Sequence, residues 1–214
     1  MKLVNTTRDA LAGYLDRQIR NFFPDDREFL PILSDHLDEA LERLRTLINR
    51  IRAWPENEFD YLHSTQYSIF LYFLANTIWR RTGTRDICTR LFLLNKTMNG
   101  IDLFYEIEMP DIFFIGHTVG IVLAKATYGN FLVLYQNSTV GKNRGVAPVL
   151  DEGVVMFPNT AIIGRCHVRS RSTLAQGTSV INRDTPGDCL VFDGELGQLI
   201  FKPIEHDVLS DIFR

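Results

Sequence analysis

The sequence predicts an α+β protein in which a helical N-terminal part is followed by a parallel β-helix. Large aliphatic residues occupy every sixth position of one stretch: Leu150, Met156, Ile162, Val168, Leu174 and Val180. Four positions after each of the first five comes a smaller residue: Val154, Thr160, Cys166, Ser172 and Thr178. A six-residue period fits neither a helix nor a flat sheet strand, and it is typical of a β-helix, whose short strands form the sides of a prism.

The same register extends towards the N-terminus through Val140, Leu134 and Tyr128, and it is interrupted between Val140 and Leu150. The interruption, residues 141–148, is polar and contains two glycines, so we expect a loop that leaves the coil. Loops on a repeat scaffold commonly bind ligands. This loop is therefore a candidate binding segment.

The second observation is helical periodicity in the first half of the chain. Apolar residues from Leu33 to Ile51 follow helical spacing, and charged residues occupy the opposite face. This pattern predicts an amphipathic helix that ends at Trp54-Pro55. Further helices are predicted over residues 8–20, 64–81 and 85–98. The predicted domains are a helical N-terminal domain (1–105), a β-helix domain (106–194) and a C-terminal tail (195–214), which we expect to pack on a neighbouring element.

Composition excludes several classes of protein. The 214 residues are 45% hydrophobic and 23% charged, and the net charge of −3 gives no basic field for nucleic acid. Three cysteines without metal-ligand spacing indicate reduced thiols and a cytoplasmic location. No signal peptide is expected at the N-terminus, and the apolar stretch 70–78 is too short to span a membrane.

Three segments resemble the serine O-acetyltransferases, members of the hexapeptide-repeat acyltransferases. Phe113 to Leu123 is similar to the active-site segment of that family, which has the form aliphatic-Asp-His-x-x-Gly-[Ile/Val]-Val-[Ile/Val]. The segment from Leu134 to Gly141 is similar to the Ile-x-Gln-x-Val-Thr-Leu-Gly-Gly motif, and Ala175 to Ile181 to Gly-Ala-Gly-Ser-Val-Val. The resemblance covers about residues 100–194.

This resemblance implies a left-handed β-helix, a homotrimer and acetyl-CoA as the acyl donor, with no metal. A dimer of trimers stays open. It also implies that His117 is the general base that activates an acceptor hydroxyl. Histidine suits this role because its ordinary pKa, about 6.5, lies near neutral pH. Glu108, or alternatively Glu106, would orient the imidazole in place of the family's second carboxylate.

Two departures from the family concern the acceptor. Gly116 stands where the family has Asp before the histidine, and Val146-Ala147-Pro148 stands where serine acetyltransferases have Arg-His-Pro. The family's arginine grips the carboxylate of serine, and a neutral pair cannot supply that charge-assisted contact. A small-molecule or sugar hydroxyl is therefore favoured over serine as the acceptor.

Candidate binding residues follow from the same pattern. The candidates for binding coenzyme A are of two kinds. Lys142, Arg165 and Arg183 are cationic and attract phosphates. Gly141 and Ala161 are small and allow the cofactor to approach the backbone closely. For the acceptor, the candidates are Tyr135, Gln136 and Arg144. A metal site is not predicted, since His117 and His167 lie far apart in the repeat.

Three other functions stay open at this stage. One is serine O-acetyltransferase activity in cysteine synthesis. Another is a sugar N-acetyltransferase, in which an amine replaces the hydroxyl. The third is a trimeric paralogue without activity, which Gly116 and the missing Arg-His pair both motivate.

Overall fold

The computed structural model describes residues 1–214, apart from the side chain of Leu196. As predicted, a helical N-terminal region precedes a parallel β-helix. The helices of the first region are α1 (Arg8–Phe22), α2 (Leu30–Ile48), α3 (Ser64–Thr82) and α4 (Arg85–Asn99). A two-stranded parallel sheet, β1 (Lys2–Leu3) and β2 (Glu58–Phe59), lies beside them.

Helix boundaries follow from local chemistry. The Thr7 side chain accepts a hydrogen bond from the Ala10 N–H and caps α1. Helices α3 and α4 end at Gly83 and Gly100, whose φ angles of 67° and 66° are in the left-handed region that favours glycine. Every residue of α3 from Thr65 to Ile78 is buried, because this helix packs between α2 and α4.

The β-helix has three sheets, which are called face 1, face 2 and face 3 in the order in which a coil passes through them. Face 1 contains β4 (Phe113–Ile115), β7 (Leu132–Leu134), β10 (Val155–Met156), β13 (Ser172–Leu174), β15 (Cys189–Asp193) and β16 (Leu199–Pro203). Face 2 contains β3 (Asp102–Leu103), β5 (Val122–Leu123), β8 (Thr139–Gly141), β11 (Ala161–Ile163) and β14 (Ser179–Ile181). Face 3 contains β6 (Thr127–Tyr128), β9 (Val149–Leu150) and β12 (His167–Val168).

The repeat residues fill the interior of the prism. Each of the six aliphatics from Leu150 to Val180 is at most 1% exposed, and the five smaller partner residues are also buried. The sequence register therefore identified the interior side chains correctly. The interruption lies between β8 and β9, where the chain leaves the coil as predicted.

Polar groups on α3 fix the helical region to the first coil. The Tyr72 hydroxyl donates to the carbonyl of Ile107 at 2.6 Å and accepts from the Met109 N–H at 3.1 Å. Asn76 donates to the carbonyl of Tyr105 at 2.8 Å. These buried bonds determine how segment 104–112 crosses face 3.

The C-terminal tail packs on its own chain. A short 3-10 turn (Glu195–Gly197) leads into β16, which runs antiparallel to β15, and helix α5 (Val208–Ile212) follows. Phe213 is buried, forms a β-bridge with Ile51 and packs on Phe131 at 5.2 Å between ring centroids. The tail therefore joins the β-helix to the end of α2.

Candidate active site

His117 lies in the turn between β4 and β5, at the edge where faces 1 and 2 meet. The Gly116 N–H donates to Leu134 in the coil on one side at 2.8 Å, and the Gly120 N–H donates to Gly100 on the other side at 2.9 Å. His117 itself is exposed, and its ring has no hydrogen-bond partner within the described residues. A fixed backbone thus presents a free imidazole to solvent.

Tyr135 and Gln136 occupy the equivalent turn one coil further on. Ile115 pairs with Leu134, so Tyr135 lies beside Gly116 and Gln136 follows at the position equivalent to His117. The Tyr135 ring is half-buried, and this desolvation raises the pKa of its phenol above the usual value. The structure therefore brings together three of the predicted residues.

The Tyr135 ring is fixed by other aromatic rings. It stacks on Phe157 with centroids 5.5 Å apart and 20° between the planes, and it meets Phe114 edge-on at 6.4 Å. Phe114 in turn packs on Trp54 at 6.0 Å. Aromatic pairs of this kind stabilise a fold by more than the burial of their surface alone. The Tyr135 ring therefore has one preferred position.

Four successive turns form this edge: residues 116–121, 135–138, 157–160 and 175–178. None of them contains Asp, Glu, Lys or Arg. We call these turns the neutral edge. The only ionisable side chains in it are the imidazole of His117 and the phenol of Tyr135.

The opposite border of face 2, where it meets face 3, is cationic. Its turns are residues 124–126, 142–148, 164–166 and 182–184, and each contains lysine or arginine. The cations are Lys125, Lys142, Arg144, Arg165 and Arg183. We call these turns the cationic edge. It holds all of the predicted cationic binding residues, and the structure separates them from His117 by the width of face 2.

The interrupting loop, 142–148, forms a tight turn. Asn143 and Val146 exchange two backbone hydrogen bonds of 3.0 Å, and the residues between them, Arg144 and Gly145, have positive φ angles of 49° and 81°. Two positive φ angles in succession are typical of a type I′ turn. This turn places Arg144 at the tip of the loop.

Arg144 and Arg165 line one cleft of about 470 Å³, together with Asn143, Val146 and Asn182. Neither guanidinium forms an ion pair with a carboxylate among the residues described. Arg183 donates to the carbonyl of Gly197 at 2.6 Å. Because unpaired guanidinium groups favour anions, this cleft suits a phosphate or a carboxylate.

Gly141 and Ala161 lie on the strands of face 2, between the two edges. Ile163 pairs with Gly141, and an added Cβ at Gly141 would touch the Ile163 side chain at 3.5 Å. Ala161 is partly exposed on the outer side, since Ile162 next to it points inwards. Because neither residue has a bulky side chain, the outer surface of face 2 is flat at these two positions.

The structure does not bring Glu108 to His117 within one chain, contrary to the sequence-based expectation. Segment 104–112, which contains Glu106 and Glu108, crosses face 3, and in a three-sided prism face 3 lies opposite the edge of His117. Glu108 is exposed and lies 3.9 Å from Arg80, whereas Glu106 pairs with Lys125. Proximity in sequence was misleading because the chain turns a corner between the two positions.

Asp102 is a carboxylate that the sequence reasoning missed. It lies on β3 and pairs with Val122 on β5, the strand that follows the His117 turn. Its N–H donates to Ile121 at 2.8 Å, and its carboxylate accepts from Lys96 at 2.6 Å. The available signal in the sequence was an acidic residue directly before the inward-facing Leu103.

No helix of the described chain is long and apolar enough to cross a membrane. No group of three or more His, Cys, Asp or Glu side chains in the part that the structure describes is arranged to hold a metal ion.

These features define a parallel β-helix protein with an N-terminal helical region and one neutral and one cationic edge. Solved structures with a similar fold include several serine acetyltransferases. The enzyme from Brucella abortus strain S19 has a TM-score of 0.71 at 20% identity, covering 93% of this chain and 85% of its own. The Neisseria gonorrhoeae enzyme in complex with serine has a TM-score of 0.68 at 17% identity, with the same coverage.

A serine acetyltransferase in complex with CoA has a TM-score of 0.68 at 15% identity, covering 92% of this chain and 86% of its own. No protein-family model matches the sequence, and no curated protein matches it either. The chain therefore has the serine acetyltransferase fold, and the likeness lies in structure far more than in sequence.

Proposed function

We propose that this protein is an acetyl-CoA-dependent O-acetyltransferase, with His117 as the general base. One observation carries the proposal: a histidine that matches the family's catalytic position lies exposed in a rigid turn at the border of an open face. The structural relatives that bind serine or CoA support the same chemistry.

In the proposed reaction the imidazole of His117 takes the proton of the acceptor hydroxyl. The hydroxyl oxygen attacks the carbonyl carbon of the thioester, the carbon–sulfur bond breaks, and the thiolate takes the proton from the imidazolium. The products are the acetyl ester and free coenzyme A, so the base is regenerated. A positioned base of this kind contributes about 10²–10⁴-fold to the rate.

The cationic edge is suited to the phosphates of coenzyme A. Lys142, Arg165 and Arg183 lie on successive coils and can follow a chain of phosphates along the prism. The flat surface at Gly141 and Ala161 would accept the apolar arm of the cofactor. These five residues are therefore the proposed donor-binding residues.

Tyr135, Gln136 and Arg144 are the proposed acceptor-binding residues. Ala147 and Pro148 offer no charge for the carboxylate of an amino acid, which favours a sugar or another small hydroxyl compound. Serine stays the second candidate acceptor, because Arg144 at the tip of its loop could supply a guanidinium to a carboxylate.

We assign the orienting carboxylate to Asp102, since it lies on the strand next to the His117 turn. It would act as a positioning residue that accepts the second N–H of the imidazole. Glu108 keeps this role only as a contribution from a neighbouring copy of the chain.

Association is proposed because the outer surface of face 2 includes exposed apolar side chains. Val122 and Ile181 are 44% and 48% exposed, beside the small Gly141 and Ala161. A homotrimer would cover this surface and would bring the neutral edge of one copy to the cationic edge of the next. Multi-angle light scattering should then give three times the mass of one chain.

The test of the function compares wild-type protein with His117→Ala. Free thiol should appear when wild-type protein is mixed with acetyl-CoA and a hydroxyl acceptor, and the rate should fall at least about 10²-fold in His117→Ala. His206→Gln is the matched control, since His206 is exposed and distant from the neutral edge in sequence. Full turnover by His117→Ala would show that another group is the base.

A further inference from the structure

The space beside Gly116 is filled by the ring of Tyr135. A Cβ added at Gly116 would lie 2.6 Å from both Cδ1 and Cε1 of that ring. Atoms cannot approach so closely, so any side chain at position 116 would displace the ring. Position 116 is therefore glycine because the aromatic ring has taken the place of a side chain.

The ring cannot easily move away. Phe157 covers it from the next coil and Phe114 holds its edge, while Phe114 is itself packed on Trp54 of the helical region. Displacing Tyr135 would disturb this row of four rings. The exclusion of a side chain from position 116 is thus built into the packing.

The loss of a side chain at position 116 has an electrostatic consequence. A carboxylate there would lie beside His117 and could pair with an ammonium group on the acceptor. Its replacement is a phenol, which is uncharged at neutral pH because its ordinary pKa is about 10, and burial raises that pKa further. Because the other turns of the neutral edge also lack charge, nothing on this edge would compensate the charge of a zwitterion.

Gln136 supplies the polar contact at the same place. Its Oε1 atom is buried and has no hydrogen-bond partner among the described residues. A buried acceptor without a donor is costly, and rotation of the side chain towards the edge would let a ligand hydroxyl donate to it. The neutral edge thus combines an apolar ring with an amide that needs a donor.

Building on the proposed function, we propose that Tyr135 is a specificity-determining residue that restricts the acceptor to a neutral polyol. Such a compound, for example a pyranose, offers C–H groups to the ring and hydroxyl donors to Gln136. An α-amino acid would bring an ammonium group to turns that contain no carboxylate, and the carboxylate of the neighbouring Asp102 is already paired with Lys96. Tyr135 would therefore act in two ways: its ring excludes a charged side chain from position 116, and it contacts the C–H groups of the acceptor.

The test compares methyl glucopyranoside with its 2-amino analogue, which adds an ammonium group, and with L-serine as a third acceptor. Wild-type protein should acetylate the neutral glycoside with a kcat/KM about tenfold or more above the other two. Tyr135→Ala should lower this preference and raise the KM for the glycoside, with the KM for acetyl-CoA unchanged. Tyr135→Phe keeps the ring and should keep the preference.

The reciprocal variant tests the exclusion directly. Gly116→Asp alone should fold poorly, whereas Gly116→Asp combined with Tyr135→Ala should fold and gain activity on the 2-amino glycoside or serine relative to the neutral one. Glu152→Gln, at the edge where faces 3 and 1 meet, is the control and should change neither ratio.

Two results would overturn the proposal in distinguishable ways. If wild-type protein binds acetyl-CoA in calorimetry and acetylates serine as well as or better than the neutral glycoside, the specificity assigned to Tyr135 is wrong and the proposed function stands. If it neither binds acetyl-CoA nor releases thiol with any of the acceptors, the proposed function fails and the specificity fails with it.

Discussion

The side-chain oxygen of Asn137 occupies the space in which a Cβ at Gly120 would lie. The separation would be 2.0 Å, and the φ angle of Gly120 is +76°. Asn137 also donates its N–H to Val119 at 3.0 Å. The turn that presents His117 is therefore locked by a contact and by a backbone conformation, and both require glycine.

Gly120→Ala should consequently destabilise the protein by about 2 kcal/mol or more and reduce acetyl transfer. Gly177→Ala separates the two causes, because Gly177 has a φ of +83° in an equivalent turn and nothing within 4 Å of an added Cβ. It should lose only about 1 kcal/mol. Urea unfolding measures both, and equal losses would show that the Asn137 contact is unimportant.

The orienting carboxylate can be identified by three single variants. Asp102→Asn should lower kcat about tenfold or more, with the KM values for both substrates unchanged, because a misoriented base impairs only the chemical step. Glu106→Gln and Glu108→Gln should have little effect. A large loss of kcat in Glu108→Gln alone would instead place Glu108 of a neighbouring copy at the site.

Arg165 and Arg144 share one cleft but are assigned to different substrates. Arg165→Gln should raise the KM for acetyl-CoA about fivefold at low salt, and this effect should shrink at high ionic strength. With acetylpantetheine, which lacks the nucleotide phosphates, the same variant should behave like wild-type protein. Steady-state kinetics with both donors checks this, and an equal loss with both would argue against a phosphate contact.

Arg144→Gln should raise the KM for an anionic acceptor and leave the KM for acetyl-CoA unaffected. Arg169→Gln is the matched control, since Arg169 is exposed on the other side of face 3. A rise in the KM for acetyl-CoA in Arg144→Gln would move Arg144 to the donor site.

Alkaline stability should depend on Tyr72. Burial raises the pKa of its phenol to about 12, against about 10 in an unfolded chain. Because the folded state binds this proton more tightly, its contribution is complete below about pH 10 and is lost as the pH rises towards 12.

The free energy of unfolding should therefore fall over that interval, and less steeply in Tyr72→Phe. The variant should also be about 1–2 kcal/mol less stable at pH 7, because two hydrogen bonds of the hydroxyl are removed. Urea titrations at several pH values measure both effects. An unchanged slope would mean that other buried groups dominate the alkaline loss.

The sequence alone determined the interior of this protein. A strict six-residue spacing leaves one orientation in which Leu150, Ile162 and their equivalents all avoid water, so the β-helix and its inward side chains follow from the hydrophobic effect. Helix positions followed for the same reason, although α2 ends at Ile48 and not at Trp54-Pro55 as predicted. Residues 141–148 could be recognised as a loop because they break that spacing.

Only the tertiary structure decided which turns lie together. The pairing register of β4 and β7 places Tyr135 on Gly116, and the corner between segment 104–112 and β4 takes Glu108 to the side opposite His117. Periodicity fixes whether a side chain faces in or out. Contacts between coils depend on the length of each turn and on packing against α3, and these are properties of the folded chain as a whole.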